Sequence, residues 1–188
     1  ADERDCEACE PTRELLEELA ALSDKLTLEV HTVAPAQRMS QIGISEIPAI
    51  VLEGTNRGTV RFIGIPSGYE FGTLVEDLLD VSTGETQLTA HTLEVLDALN
   101  SPIHVKVFVT PTCPYCPQAA RLAHAMAAYS ALVTADVIEA NEFPQISDHY
   151  QVYGVPKTVV NETQEFEGAR PEEALIALIQ SASTTVAA

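Results

Sequence analysis

Tryptophan is absent, methionine occurs twice, and aromatic residues make up only 5% of this 188-residue chain. Lysine is scarce as well: Lys25, Lys106 and Lys157 are the only three among 10 basic residues. Against these stand 28 acidic side chains, for a formal net charge of −18. A surface so poor in cations repels phosphate backbones and anionic headgroups, which argues against nucleic-acid or membrane-surface binding. No apolar run nears the ~20 residues of a membrane-spanning helix. The opening residues, ADERDCEACE, are too charged for the apolar stretch of a secretory leader. The expectation is a soluble, cytoplasmic protein. Its acidic, lysine-poor composition fits either adaptation to high salt or undirected acidic drift.

Cysteine is equally sparse, but all four residues fall into two Cys-x-x-Cys pairs, Cys6-Glu7-Ala8-Cys9 and Cys113-Pro114-Tyr115-Cys116. A secreted disulfide scaffold carries more cysteines, irregularly spaced, in a shorter chain. The pairs therefore read as sites. Two halves of a zinc ribbon lie ~15–20 residues apart, whereas 103 residues separate Cys9 from Cys113. Redox chemistry is the better reading.

The chain repeats itself weakly. Cys6 recurs as Cys113 after 107 positions, and Ile47-Pro48 recurs as Val155-Pro156 after 108. Each copy then carries a Phe-x-Gly step, Phe62-Ile63-Gly64 and Phe166-Glu167-Gly168, followed by a proline and an amphipathic helix. So long a period means duplicated domains, because solenoid repeats run to ~20–50 residues.

In the second copy, Ile103, Val105, Val107 and Val109 alternate with His104, Lys106 and Phe108, the two-residue period of a strand. Pro111-Thr112 breaks it, and a helix is predicted from Pro114 with Ala119, Leu122, Met126 and Tyr129 on one face. A strand at 132–139, a short helix at 143–150, a hairpin turning through Asn161-Glu162 and a closing helix over 171–181 complete a β-α-β-α-β-β-α unit. The first copy follows the same order. Leu15, Leu16, Leu19 and Leu22 mark a helix, and Leu26, Leu28 and Val30 a strand. A hairpin (49–52 and 59–63) and a closing helix through Leu74, Val75, Leu78 and Leu79 follow. Ser82-Thr83-Gly84 reads as the boundary, so the expected units are 1–83 and 84–188. Leu88, Thr92, Val95, Leu96 and Leu99 predict a helix leading into the second. Only five residues precede Cys6, so the first unit is expected to lack the helix and strand that precede Cys113, a gap that points to an omitted N-terminal segment.

A Cys-x-x-Cys opening a helix does redox work because the first thiol sits over unpaired N–H groups and the positive dipole end, which stabilise its thiolate. The second thiol, one turn on, closes a disulfide and releases bound substrate. Cys113 is thus expected to be the nucleophile and Cys116 the buried resolving thiol. Pro114 and Pro117 lack N–H groups, which a first helical turn tolerates.

The run from Phe108 to Pro117 (FVTPTCPYCP), with Val155-Pro156 43 residues after Cys113, resembles the protein disulfide oxidoreductases, tandem glutaredoxin-like proteins of archaea and some bacteria. Residues 64–71 (GIPSGYEF) and 78–82 (LLDVS) are similar to that family's first unit. The resemblance covers nearly the whole chain. It implies an α/β protein of two tandem thioredoxin-like folds, each a mixed central sheet flanked by helices, with a Cys-x-x-Cys and a cis-proline. Carried over, Cys6 and Cys9 face Pro48, and Cys113 and Cys116 face Pro156. An X–Pro bond tolerates cis far better than other peptide bonds. Such a proline turns the backbone of the preceding residue, Val155 at the second site, outward to pair with an extended substrate. Tyr115 either packs against substrate or covers the helix start.

Thioredoxins bury an acid six residues before the first cysteine. Here that position is Val107, and no proton-relay acid is identifiable. Glutathione-binding glutaredoxins carry a Lys before the first cysteine and a Gly-Gly after the hairpin. Here those positions read Pro111-Thr112 and Gly168-Ala169, so glutathione is not the expected substrate. His31, His91, His104, His124 and His149 form no ligand or triad pattern. His124, on the helix after Cys116, is within reach of the site, but a surface or half-buried position is the expectation.

The functional expectation is a thiol–disulfide oxidoreductase acting on protein disulfides through a mixed disulfide. Electrons would come from an NADPH-dependent flavoprotein resembling thioredoxin reductase, with a peroxiredoxin as a possible acceptor and no cofactor bound by the chain itself. The alternative is an electron-relay module of a larger flavoprotein peroxide reductase, whose N-terminal segment also carries paired thioredoxin folds but normally keeps one Cys-x-x-Cys. The two sites should be unequal. Asp2, Glu3, Asp5, Glu7 and Glu10 surround the first pair against Arg4 alone, whereas no ionisable acid or base other than Tyr115 and the cysteines lies between Lys106 and Arg121.

Overall fold

Alternating side chains set the architecture. In β3 (Ile103–Val109), Ile103, Val105, Val107 and Val109 turn to a buried face while His104 and Lys106 take the other. The computed structural model describes residues 6–31 and 44–185. Its remaining elements are α1 (Cys9–Ala20), β1 (Ala49–Leu52), β2 (Thr59–Ile63), α2 (Tyr69–Thr83), α3 (Ala90–Asp97), α4 (Cys116–Tyr129), β4 (Val133–Glu139), α5 (Pro144–His149), β5 (Lys157–Val160), β6 (Gln164–Glu167) and α6 (Glu172–Thr185).

All six strands join one mixed sheet in the order β1-β2-β4-β3-β5-β6. The hairpin β1–β2 comes from the first copy and the other four strands from the second. They meet where β2 runs parallel to β4, Val60 opposite Ala135 and Phe62 opposite Val137. β4 is therefore sandwiched between β2 and β3 and is buried on both faces, Asp136 and Glu139 included. Helices α2, α4 and α6 cover one face, and a single core cluster there mixes Leu52, Phe62 and Leu74 of the first copy with Val105, Cys116 and Ala120 of the second. The short α5 covers part of the other face over Phe108, Ile138 and Phe143. The junction is further tied by N–H groups of Arg57 and Gly58 donating to the carbonyls of Ala128 and Ala127, at 2.9 and 3.0 Å. On the second face, Arg61 of β2 donates to Asp136 of β4 at 2.8 Å with both side chains buried.

Several elements differ from the sequence expectation. Residues 26–30 form no strand. Its counterpart β4 has hydrogen-bonding neighbours on both sides, whereas the first copy offers none among the described residues, and a lone strand leaves its backbone unpaired. Ser82 and Thr83 belong to α2, which stops only at Gly84, whose φ of 72° is the left-handed conformation that ends a helix. The helix after the second pair starts at Cys116 rather than Pro114. The hairpin turn lies as expected, with Asn161 and Glu162 at φ 45° and 65°.

Candidate active site

β3 aims the second cysteine pair. After Val109 the chain turns through Thr110–Thr112, the Cys113 N–H donating to the Thr110 carbonyl at 3.1 Å, and α4 begins at Cys116. The two cysteines form a disulfide with Cα atoms 5.5 Å apart. Cys116 has no exposed surface and packs into the core, while Cys113 keeps 8%. Tyr115 between them, the residue that precedes α4, is 68% exposed. The Val155–Pro156 bond is cis, and the Val155 carbonyl oxygen lies 3.8 Å from the Cys113 sulfur. The structure thus brings the Cys113–Cys116 pair together with the Val155–Pro156 step, Cys113 and Val155 keeping some exposed surface.

The first pair is also a disulfide, Cys6–Cys9, with the same 5.5 Å Cα separation, and Ile47–Pro48 is cis. Its surroundings are thinner. Both cysteines are half-buried, and Thr12 is the single buried residue of α1. Of the charges expected around it, Glu7 and Glu10 are exposed. Asp2, Glu3, Arg4 and Asp5 lie outside the described residues. The two copies share one device: the carbonyls of Pro48 and Pro156 accept N–H bonds from Gly64 and Gly168, at 2.8 and 2.7 Å. Both glycines sit at positive φ, 96° and 81°. The recurring Phe-x-Gly step thus closes each proline loop.

A buried acid that the sequence did not mark stands on α2, in the other copy. The N-terminus of α2 is clipped to the loop ahead of Cys113, with the Tyr69 N–H donating to the Pro111 carbonyl at 3.0 Å. Gly68 is required there, because a Cβ would lie 2.2 Å from that oxygen. This clip places Glu70, in the first turn of α2, at the α2–α4 interface. It is 2% exposed, and neither carboxyl oxygen has a hydrogen-bond partner among the described residues. Burial pushes its carboxyl up to about 7, with Thr73 and His124 pulling the other way and Asp77 adding to the rise. The Thr73 hydroxyl falls short of hydrogen-bond geometry. No local signal marks Glu70. In sequence it is one more acid in an acidic chain, 43 residues before Cys113.

His124 corrects another expectation, being 2% exposed rather than at the surface or half-buried. Its Nδ1 lies 2.6 Å from an Asp77 carboxylate oxygen and its Nε2 3.1 Å from the Arg61 carbonyl. Phe62 meets the ring edge-on, centroids 4.8 Å apart. Among the described residues, no group of three or more His, Cys, Asp or Glu side chains converges to hold a metal ion. No helix among them is long and apolar enough to cross a membrane.

A thioredoxin-domain family profile matches residues 3–76 and 103–180. A protein disulfide oxidoreductase from Aeropyrum pernix superposes with a TM-score of 0.88, at 31% identity over 96% of this chain and 82% of that one. The NTD_N/C domain of alkylhydroperoxide reductase AhpF from Enterococcus faecalis gives 0.83, at 25% identity over 94% and 86%. In sequence, the alkyl hydroperoxide reductase AhpF of Escherichia coli is 26% identical over 94% of this chain, which spans about a third (32%) of that relative's length.

Proposed function

The chain belongs to the thioredoxin-domain family, and from that premise we propose a thiol–disulfide oxidoreductase with Cys113–Cys116 as its principal site. The observation that carries the assignment is the contrast within that pair. Cys116 has no exposed surface at the first residue of α4, while Cys113 keeps 8% and its sulfur lies 3.8 Å from the Val155 carbonyl. In the reduced protein the Cys113 thiolate attacks one sulfur of a substrate disulfide, forming a mixed disulfide and expelling the other sulfur as thiolate. The Val155 backbone and Pro156 hold the substrate strand, with Tyr115 beside it. Glu70, as carboxylate, takes the proton of the Cys116 thiol. The Cys116 thiolate then attacks the Cys113 sulfur and releases the second substrate thiolate. The substrate gains two electrons, the pair loses two, and the protons pass to the released thiolates through Glu70 and solvent. Run backwards, the same steps oxidise a dithiol.

In this reading residues 1–83 and 84–188 are two thioredoxin-type units, and Cys6–Cys9, with Pro48 beside it, is an auxiliary or relay pair. The setting is cytoplasmic. Protein disulfides are the substrates, an NADPH-dependent flavoprotein of the thioredoxin-reductase kind supplies electrons, and a peroxiredoxin is an acceptor. The likeness to AhpF over 94% of the chain favours one second reading, a module handing electrons from a flavoprotein reductase to a peroxiredoxin. Insulin reduction by dithiothreitol, compared between Cys113→Ser and Cys6→Ser, tests the first reading. Activity that survives Cys113→Ser and is lost in Cys6→Ser reverses the assignment of the sites.

A further inference from the structure

Charge is spread unevenly along this chain. It makes up 20% of the residues, yet segments 64–69, 107–120 and 151–156 contain no Asp, Glu, Lys, Arg or His. The fold gathers these three segments at the second pair. The Tyr69 N–H donates to the Pro111 carbonyl at 3.0 Å, and the Val155 carbonyl oxygen lies 3.8 Å from the Cys113 sulfur. The cations at their ends are paired, Lys106 with Glu162, Arg121 with Glu76 and Asp80, and Lys157 with Glu165. Glu70, which follows Tyr69, is buried. Charge returns at the borders. The Glu142 carboxylate accepts the Ile65 N–H at 2.7 Å, and exposed Arg170 stands two residues beyond Gly168, whose N–H is bonded to Pro156.

Each segment also carries one exposed tyrosine. Tyr69 is 55% and Tyr153 88% exposed, besides Tyr115. The other two tyrosines of the chain, Tyr129 and Tyr150, are half-buried, and their hydroxyls donate to Asp97 and Glu162. Single exposed apolar side chains are ordinary, but three aromatic rings on loops without charge mark a contact surface. Tyr115 lies between the cysteines, Tyr153 two residues before Val155, and Tyr69 holds Pro111, two residues before Cys113. Two residues span at most ~7 Å. A substrate must bring a sulfur to Cys113, and an extended chain rises ~3.3 Å per residue. The residues that flank its cysteine therefore pass over these loops. Charged flanks lose hydration there and meet no counter-charge, whereas apolar or aromatic flanks gain contact with the tyrosine rings.

We propose that Tyr69 and Tyr153 are specificity-determining residues of the second redox site, selecting a cystine flanked by aromatic or apolar residues. Such stretches are buried in a folded protein, so the substrate class is a protein whose cystine has become exposed by unfolding. The first copy thereby takes part in substrate choice at the second pair. This inference rests on the role proposed above for Cys113.

The test uses the full chain, with dithiothreitol as reductant, and three cystine peptides of equal length whose flanks are phenylalanine, serine or lysine. Reduction above the dithiothreitol background should favour phenylalanine over serine flanks by ~10-fold in kcat/KM, the difference lying in KM. Tyr69→Ser and Tyr153→Ser should each lower that ratio by ~2–5-fold, and the double variant should bring it close to 1. Loss of folded protein or of thiol reactivity slows all three peptides alike and leaves the ratio unmoved. Leu79→Ser removes another exposed apolar side chain of α2, remote from Pro111, and should leave the ratio unchanged. A ratio near 1 in the parent, a ratio that both tyrosine variants keep, or an equal fall in Leu79→Ser overturns the inference. So does a preference for lysine flanks, since net charge would then do the selecting. Failure to reduce any of the three peptides, or a rate that survives Cys113→Ser, overturns instead the assignment of the principal site.

Discussion

The two Cys-x-x-Cys pairs have the same spacing, the same 5.5 Å Cα separation and the same position ahead of a helix, each with an X–Pro bond in cis some 40 residues on. They differ in what lies behind them. Behind Cys116 is a core built from both copies, whereas Cys6 and Cys9 are both half-buried at the start of a helix with one buried residue. A thiolate is tuned by its surroundings as much as by its helix terminus. The local motif is therefore duplicated while the environment that gives it a distinct reactivity belongs to one site. The comparison also shows an asymmetric use of the duplication. In the proposed mechanism the first copy lends Glu70 to the second site.

The largest expected effect is on turnover. Cys113→Ser should reduce insulin reduction by ~100-fold or more, because no other side chain at that site replaces the nucleophile. Cys6→Ser should leave most of it. Stopped insulin turbidity in the first variant and near-normal turbidity in the second are the results expected. Comparable losses in both would erase the contrast between the sites.

The second effect concerns stability. Burial raises the folded value of Glu70 from 4.5 to about 7, so the stability tied to its protonated form is fully present below the unfolded value and is lost as pH climbs towards 7. The loss amounts to about 3 kcal/mol at slightly alkaline pH. Glu70→Gln should therefore stabilise the protein at pH 8 and change little at pH 4. Urea midpoints at the two pH values check this, and an equal change at both would mean that the carboxyl ionises freely.

A smaller effect separates the thiols. Glu7 and Glu10 disfavour a thiolate at Cys6, so its pKa should exceed that of Cys113 by ~1 unit, worth about 1.4 kcal/mol or at most ~30 mV in a two-electron couple. Thiolate absorbance at 240 nm in single-site variants reads it directly, and a lower pKa at Cys6 would invert the comparison. The smallest effect is global. With a net charge of −18, molar KCl should raise the thermal midpoint by a few degrees through screening, and a flat or falling midpoint would remove self-repulsion as a factor.

The sequence disclosed whatever is encoded locally. The two-residue period of 103–109, the Cys-x-x-Cys pairs, the matched X–Pro steps and the Asn161-Glu162 turn each follow from side chains a few positions apart, and the 107-residue repeat doubles the signal. What it misplaced depends on neighbours. Leu26, Leu28 and Val30 have the apolar spacing of a strand, but a strand exists only beside another strand, and none lies there among the described residues. Val107 occupies the place where a thioredoxin buries its acid, so a search along the second copy found no proton carrier. The acid proposed for that role, Glu70, stands 43 residues upstream of Cys113, on a helix that the Tyr69 N–H and the bare Cα of Gly68 let close onto Pro111. His124 carries no pattern in one dimension and meets its buried partners, the Asp77 carboxylate and the Arg61 carbonyl, only across 47 and 63 residues of chain. The thiols, and the chemistry open to them, were determined by the order of residues. Which thiol pair is sealed, and which acid serves it, was decided by packing one copy against the other, since burial and electrostatics depend on distances that a linear chain does not contain.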